Sequence, residues 1–237
     1  MNRFLTACML AFASSLSRAD VTFDFTTQNG RNQFTASAPT DGSWYQDNTN
    51  GFILGQTASA NIRGTGTLTQ NSAIQMGQTG TARVLVNHYW GFAPNDGARL
   101  AYSNDGSTWN YALNADFTAQ GYNSTSTLYA GDGNQTWGGS VGGAAGAQVT
   151  SIYQFNVTDP NLNYFFRFES KLSGATDYVT DDIWGIKSMT VSVPEPGTML
   201  LGGIAAVSGG AGAWWKRRRK KAAAKEDETP VESTTAV

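Results

Sequence analysis

Between residues 20 and 192 the apolar side chains recur at every second position and not at the 3.6-residue spacing of a helix. Residues 21–26 (VTFDFT) are an example, because a strand with one buried face alternates apolar and polar residues. Turn-forming triplets such as residues 95–97 (NDG) and 104–106 (NDG) separate the alternating stretches. Many short strands with frequent turns predict an all-β fold, a jelly-roll-like β-sandwich.

The alternation and the turn sequences together predict the positions of the strands. They are expected at residues 21–26, 51–55, 59–63, 73–76, 83–88, 98–103, 127–130, 150–157, 164–170 and 186–193. We assign residues 20–192 to a single β-sandwich domain.

The body of the chain is mildly acidic. Residues 20–193 hold seven Lys and Arg against thirteen Asp and Glu, a net charge of −6. This is the wrong sign for neutralising phosphates, so we expect no nucleic-acid partner.

Cysteine and histidine are too rare for the common metal and disulfide sites. The chain has one Cys and one His, which excludes a disulfide framework, a Cys-based zinc site and a multi-His site. The glycine-rich run 138–143 lacks the strand–helix setting of a phosphate-binding loop. We therefore expect no cofactor.

Residues 1–19 have the layout of a Sec signal peptide. Arg3 precedes an apolar run that is too short to span a bilayer, and the small residues Ser17 and Ala19 occupy positions −3 and −1 of the predicted cut. Cleavage is predicted between Ala19 and Asp20. The partners implied are the Sec translocon and signal peptidase.

The C-terminal block, residues 193–221, has three parts in order. A Pro194-Glu195-Pro196 motif is followed by an uncharged stretch, residues 198–215, and then by consecutive cations. Eighteen helical residues reach about 27 Å, enough for a bilayer core. The block predicts a single transmembrane helix in the inner membrane, with the N-terminus outside and the C-terminus in the cytoplasm. The cluster that stops transfer consists of Lys216, Arg217, Arg218, Arg219, Lys220 and Lys221.

This block resembles the PEP-CTERM sorting signal of Gram-negative bacteria. The resemblance implies recognition of Pro194, Glu195 and Pro196 by exosortase, a membrane transpeptidase. It implies delivery to the cell surface or its exopolysaccharide matrix. The chain departs from that pattern after the basic cluster, where residues 222–237 form a polar tail expected to be disordered and cytoplasmic. The tail leaves open an alternative, a permanently anchored single-pass membrane protein.

A second resemblance concerns the fold of the body. Residues 100–109 (LAYSNDGSTW) look like a strand–turn–strand element common in galactose-binding-like jelly rolls. Residues 181–193 resemble the last strand of such domains, and residues 164–168 the strand before it. This resemblance covers roughly residues 99–193 and implies the jelly-roll fold alone.

Aromatic residues are the main candidates for a binding function. Flat rings beside Asn, Asp and Arg suit sugars, and we select Trp44, Trp109 and Trp137 as candidate glycan contacts on an extracellular polysaccharide. Asp177, Asp181 and Asp182 are weak candidates for Ca²⁺, with turn capping as the alternative.

We expect no enzymatic activity. His88 is expected to be a packed or surface residue, because no nucleophile-elbow pattern accompanies it. Glu169 is the only Glu in the body, so paired carboxylates for glycoside hydrolysis would need Asp. A secreted glycan-active enzyme remains the alternative.

Overall fold

The computed structural model describes residues 20–56, 62–129, 133, 135–141, 148–174 and 182–193. Most of these residues lie in extended strands. The strands are β1 (Val21–Asp24), β2 (Phe34–Ser37), β3 (Gly42–Asp47), β4 (Gly51–Gln56), β5 (Arg63–Gln70), β6 (Ile74–Gln75), β7 (Gly80–Gly91), β8 (Gly97–Ser103), β9 (Asn110–Tyr111), β10 (Phe117–Ala119), β11 (Ser124–Thr125), β12 (Gln135–Thr136), β13 (Ser140–Val141), β14 (Val149–Val157), β15 (Asn163–Ser173) and β16 (Asp182–Ser192).

Helical structure in the described ranges is confined to single turns. A short helix α1 (Gln28–Arg31) follows β1, and two 3-10 turns, η1 (Asn114–Asp116) and η2 (Thr127–Tyr129), lie between the later strands. No helix in the described part of the chain is long and apolar enough to cross a membrane. The predicted signal peptide, the predicted membrane helix at residues 198–215 and the tail lie outside the described residues.

The strands form two antiparallel sheets. Sheet A has the order β10-β14-β7-β16-β4-β3, with β1 beside β16 and β13 beside β7. Sheet B has the order β2-β5-β15-β8-β9, with β6 beside β15, and β11 and β12 form a separate pair. Several successive strands lie in opposite sheets: β14 lies in A, β15 in B and β16 in A. This wrapping is typical of jelly-roll sandwiches.

Aromatic rings from the two sheets meet between them. Phe168 of sheet B packs on Trp184 of sheet A with ring centroids 5.8 Å apart, and Phe155 of sheet A lies 6.0 Å from Phe166 of sheet B. The alternation in β7 explains its share of this core, since Ala82, Val84 and Val86 point inward while their neighbours are more exposed. The predicted all-β sandwich is confirmed.

The last strand lies in the middle of sheet A. β16 pairs with β7 on one side and with β4 and β1 on the other. Ser192 at its end donates a hydrogen bond to the Asp20 carboxylate at 2.9 Å. Sheet A is therefore completed only when both ends of the domain are in place.

Most of the long predicted strands coincide with observed ones. The predictions at residues 51–55, 83–88, 98–103, 150–157, 164–170 and 186–193 correspond to β4, β7, β8, β14, β15 and β16. The prediction at 73–76 shrinks to the two residues of β6, and most of 59–63 lies outside the described residues.

The predicted strand at residues 127–130 is wrong, because residues 127–129 form the 3-10 turn η2. Ser126 causes the turn: its side-chain oxygen accepts from the Leu128 N–H at 3.2 Å, and its carbonyl accepts from the Tyr129 N–H at 3.2 Å. Serine offers the backbone such local bonds in place of a strand ladder. The predicted turns are confirmed at Asn95 and Gly106, whose φ angles are 69° and 75°.

Candidate functional site

A groove lies at one lateral seam of the sandwich, where β14 of sheet A and β8 of sheet B come together. Its volume is about 300 Å³, which is at the lower end of the range for small-ligand sites. We call it the seam groove. It is lined by Tyr102, Asn104, Asp116, Tyr153, Gln154, Phe155, Asn156, Thr158, Leu162 and Tyr164.

Three aromatic rings form one wall of the seam groove. The Phe155 ring lies nearly parallel to that of Tyr153, at 5.8 Å and 14°, and to that of Tyr102, at 6.1 Å and 17°. Tyr164 adds a fourth ring 5.3 Å from Phe155. Tyr153 and Phe155 alternate on β14 and both point toward the seam, where Phe155 and Tyr102 stay partly exposed. Tyr153 itself is buried, so the part of the stack that a ligand can reach is formed by Phe155 and Tyr102.

Neutral polar groups surround this aromatic wall. Asn104 is fixed by its own amide, which donates to the Asn163 carbonyl at 2.8 Å. Gln154, Asn156 and Thr158 follow along β14 and the turn after it. Amide and hydroxyl groups both donate and accept hydrogen bonds. The groove therefore combines ring faces with groups suited to a ligand rich in hydroxyls.

The charge in the groove comes from one carboxylate. Asp116 is the only ionisable acid among the described lining residues, and no Lys or Arg is among them. Burial raises the pKa of Tyr153, with smaller contributions from neighbouring Tyr102 and Asp116, and burial also raises the pKa of Tyr164. A phenol group with the ordinary pKa of about 10 is already protonated at physiological pH, so these increases leave both groups in that state.

His88 is part of the core and not of the groove wall. Its Nδ1 accepts from Trp184 Nε1 at 3.2 Å, and its Nε2 lies 2.8 Å from Ser151 Oγ. Ser151 in turn donates to the Gln120 carbonyl at 2.5 Å. The ring is fully buried, and this burial lowers the pKa of His88 to about 3. Of the two predicted placements, packed or at the surface, His88 is packed, as a neutral ring with both nitrogens hydrogen-bonded.

Trp137 requires a correction, since it was predicted as a glycan contact. It has no exposed surface, its ring lies 4.5 Å from His88, and its Nε1 donates to the Gln120 carbonyl at 3.2 Å. A large apolar ring is stabilised most by complete burial. Trp137 is a core residue and presents no face to a ligand.

Trp44 and Trp109 are both partly exposed but already in contact with other side chains. Trp44 packs on Trp184 at 5.8 Å and donates to the Ser37 carbonyl at 3.2 Å. The Arg167 guanidinium lies 4.4 Å from the centre of the Trp109 ring. Neither lines the seam groove.

The other predicted site residues fall mostly outside the described residues. This applies to Ala19, Asp177, Asp181, the Pro194–Pro196 motif and the cations at 216–221. Of the Ca²⁺ candidates only the backbone of Asp182 is described, where it opens β16 opposite Gly55. Within the described ranges, no group of three or more His, Cys, Asp or Glu residues could hold a metal ion. Asp20 is exposed beside the end of β16.

The residues of the seam groove were not predicted as a site. A signal was available, because residues 153–158 (YQFNVT) place two aromatic residues two apart on a predicted strand and follow them with polar groups. What the sequence does not show is that β14 lies next to the sheet edge, facing β8.

Comparison with known proteins identifies the C-terminal block. Residues 192–220 match the PEP-CTERM protein-sorting motif. The chain therefore carries this sorting motif, as the sequence predicted from residues 193–221. No curated protein matches the sequence of the chain.

Several solved structures are similar to the body at low identity. A carbohydrate-binding module (CBM6cm-2) from Cellvibrio mixtus lichenase 5A, solved with cellotriose, is 11% identical with a TM-score of 0.38 and covers 74% of this chain and 98% of that one. A family 35 carbohydrate-binding module from Clostridium thermocellum is 10% identical with a TM-score of 0.37, covering 75% and 100%. The exoplasmic/lumenal domain of VIP36 in its Ca²⁺/Man2-bound form is 10% identical with a TM-score of 0.41, covering 75% and 88%. The β-sandwich fold itself is established by the sheet order of this chain.

Proposed function

We propose that this protein is exported, sorted to the cell surface through its PEP motif, and binds neutral carbohydrate in the seam groove. The PEP-CTERM motif at residues 192–220 supports the sorting half. The signal peptide predicted at residues 1–19 supports export, and exosortase is the processing enzyme that the motif implies. The stacked wall of Tyr102, Tyr153 and Phe155 is the observation that carries the binding half.

The chemistry of the seam groove favours an uncharged, hydroxyl-rich ligand. Sugars offer C–H faces that pack on aromatic rings and hydroxyl groups that pair with amides, phenols and carboxylates. An anionic ligand would meet the Asp116 carboxylate without a cation among the described lining residues. An apolar ligand would leave the Asn, Gln and Thr groups unpaired. A neutral glycan satisfies both sets of groups.

Binding without catalysis agrees better with the groove than hydrolysis does. The two-carboxylate mechanism of glycoside hydrolysis needs a pair of acids about 5–10 Å apart. Asp116 lines the groove without a second carboxylate among the described lining residues. We therefore propose a non-enzymatic role at the surface or in the extracellular polysaccharide matrix.

The binding half is tested by titrating the full-length protein with a panel of neutral oligosaccharides. Phe155→Ala removes the central ring of the wall, and Leu113→Ala is the matched control because it removes an exposed side chain outside the groove. Loss of binding in the Phe155 variant alone supports the proposal. Equal binding by both variants contradicts it.

The sorting half is tested by deleting Pro194–Pro196 and following the mass and cell fraction of the protein. Retention of the precursor at the inner membrane is expected. Unchanged processing and location would show that the motif is not used. The tail at residues 222–237 favours a second candidate, a permanently anchored protein, for which an intact C-terminus would be found on the membrane-bound form.

A further inference from the structure

The outer face of sheet B gathers a large share of the positive charge in the body. Alternation along β5 and β15 places two rows of side chains on this face. We call it the cationic face, and its members are Arg63, Thr65, Thr67, Thr69, Arg167, Glu169 and Lys171. The rows are in register: Thr69 lies opposite Arg167, Thr67 opposite Glu169 and Thr65 opposite Lys171.

The charge on this face has the opposite sign to the rest of the body. Arg99, the register partner of Glu169 on β8, lies on the same face but is buried under the rings of Tyr111, Tyr122 and Tyr129. Four of the seven cations in residues 20–193 therefore lie here with two of the thirteen acids, Glu169 and Asp96, whose Oδ1 accepts from the Ser173 N–H at 2.6 Å. The remainder of the body holds three cations against eleven acids. Such segregation creates a local positive potential on an acidic protein.

Aromatic contacts hold the exposed cations in place. The Arg167 guanidinium lies 4.4 Å from the centre of the Trp109 ring, and the Lys171 ammonium lies 4.5 Å from that of Tyr129. Their side chains remain 19% and 29% exposed. Cations held over aromatic rings lose less freedom when they bind an anion.

Glu169 neutralises only part of the charge on this face. Its Oε2 lies 2.7 Å from Arg167 Nη2, while its Oε1 accepts from the Tyr111 hydroxyl at 2.5 Å and lies 3.9 Å from Lys171 Nζ. The carboxylate is 6% exposed, so it is turned into the protein while the cations reach solvent. One buried negative charge is set against Arg99, Arg167 and Lys171 together.

Hydroxyl groups extend the face toward the edge of sheet B. Thr65 is exposed and Thr67 and Thr69 are partly exposed on β5, and Thr35 and Ser37 are exposed on the edge strand β2. Neighbouring strands are about 4.8 Å apart and alternate residues about 7 Å apart, which gives a flat array of donors and acceptors beside the cations.

We propose that the cationic face binds an acidic polysaccharide, with carboxylates on Arg63, Arg167 and Lys171 and sugar hydroxyls on the threonine row. A polysaccharide is favoured over nucleic acid because duplex DNA carries a charge every ~1.7 Å, which a body of net charge −6 repels. A polymer with at most one carboxylate per sugar has sparser charge and supplies hydroxyls. The site is separate from the seam groove, which lies between the sheets, so either can fail alone.

The test compares polygalacturonate with its methyl-esterified form, which has the same backbone without the charges. Full-length protein in detergent is used, with residues 216–221 changed to Gln in every sample so that the basic cluster does not contribute. We expect salt-sensitive binding to polygalacturonate and little binding to the ester. Equal binding to the ester, or tighter binding to duplex DNA, would overturn the proposal.

A pair of double variants locates the site. Arg63→Gln with Lys171→Gln removes two charges from the cationic face and leaves the Arg167–Glu169 pair intact, while Arg83→Gln with Lys187→Gln removes two from sheet A. The first pair is expected to weaken binding about tenfold, as for the loss of two charge-assisted contacts, and the second to have little effect. Equal losses in both pairs, or no loss in the first, would overturn the assignment. The comparison of the two polymers decides the proposal even if a variant does not fold.

Discussion

Two aromatic clusters in this sandwich are built from different residues and do different things. Around His88, the rings of Trp90, Trp137 and Trp184 are completely buried, with each indole N–H donating to a protein acceptor. In the seam groove, Tyr102 and Phe155 keep part of their rings in solvent. The three tryptophans around His88 are used for packing, and Tyr102 and Phe155 form the candidate binding surface.

The difference between the two clusters shows that the size of an aromatic side chain does not predict whether it contacts a ligand. A buried Trp removes a large apolar area from water, provided its N–H finds an acceptor. A ligand surface instead needs rings that stay partly exposed without unfolding the protein. The position of a strand relative to the sheet edge decides which condition a ring meets.

The largest effect is expected from breaking the tryptophan cluster. Trp137→Ala should lower the free energy of unfolding by about 3–5 kcal/mol, because it leaves a cavity and removes an indole donor from the Gln120 carbonyl. Chemical denaturation measures the change. Trp109→Ala, a partly exposed control, should cost about 1 kcal/mol through the loss of its contact with Arg167. If the two variants lose similar amounts of free energy of unfolding, the burial of Trp137 does not make it more important for stability than Trp109.

The next effect concerns the buried histidine and pH. The pKa of His88 is about 3 in the folded protein and about 6.5 when unfolded, so the unfolded state binds the proton first. Stability is therefore lost as pH falls from about 6.5 toward 3, by about 2 kcal/mol at pH 5. Unfolding curves of the wild type and of His88→Gln isolate this term, because the variant keeps every carboxylate but loses the histidine. Parallel pH profiles for the two proteins would contradict a neutral, buried His88.

Removing an aromatic ring from the seam groove is expected to lower stability less than the changes above and to weaken ligand binding strongly. Phe155→Ala should cost only about 1–2 kcal/mol of stability, since the ring is partly exposed. It should weaken neutral-glycan binding by about tenfold or more, as for the loss of a stacking ring at a binding site. Thermal melts and titration calorimetry on one sample give both values. If Phe155→Ala weakens binding no more than Leu113→Ala does, the aromatic wall does not contact the ligand.

The smallest effect tests the polar part of the groove. Tyr102→Phe keeps the ring and removes only the hydroxyl of a partly exposed side chain that lines the groove. We expect affinity for a neutral sugar to fall about threefold to tenfold, the value of one neutral hydrogen bond, with stability changed by less than about 1 kcal/mol. Unchanged affinity would mean that ligands contact the ring face alone.

Much of the fold could be predicted from the sequence, because the long strands alternate clearly. β7, β14 and β15 were located from their alternation, and Asn95 and Gly106 from their turn chemistry. β5 was largely missed because residues 63–70 (RGTGTLTQ) carry Gly and Thr in place of apolar residues, and their strand character comes from pairing with β15 and β2. β2 and β3 were missed as short edge strands.

The candidate site could be predicted less well than the fold. The sorting motif is local in sequence, so Pro194, Glu195 and Pro196 were identified directly. The seam groove joins Tyr102 to Phe155 across two sheets, and the cationic face joins Arg63 to Lys171 across two strands. Both depend on strand order, which periodicity does not encode. Trp137 was misassigned for the same reason.

The sorting account is tested most directly by the intact mass of the protein isolated from the cell surface. Cleavage by signal peptidase and exosortase predicts a chain that begins at Asp20 and ends near Pro196, before the uncharged stretch and the basic cluster. A surface protein that still ends at Val237, or one that still begins at Met1, would contradict it.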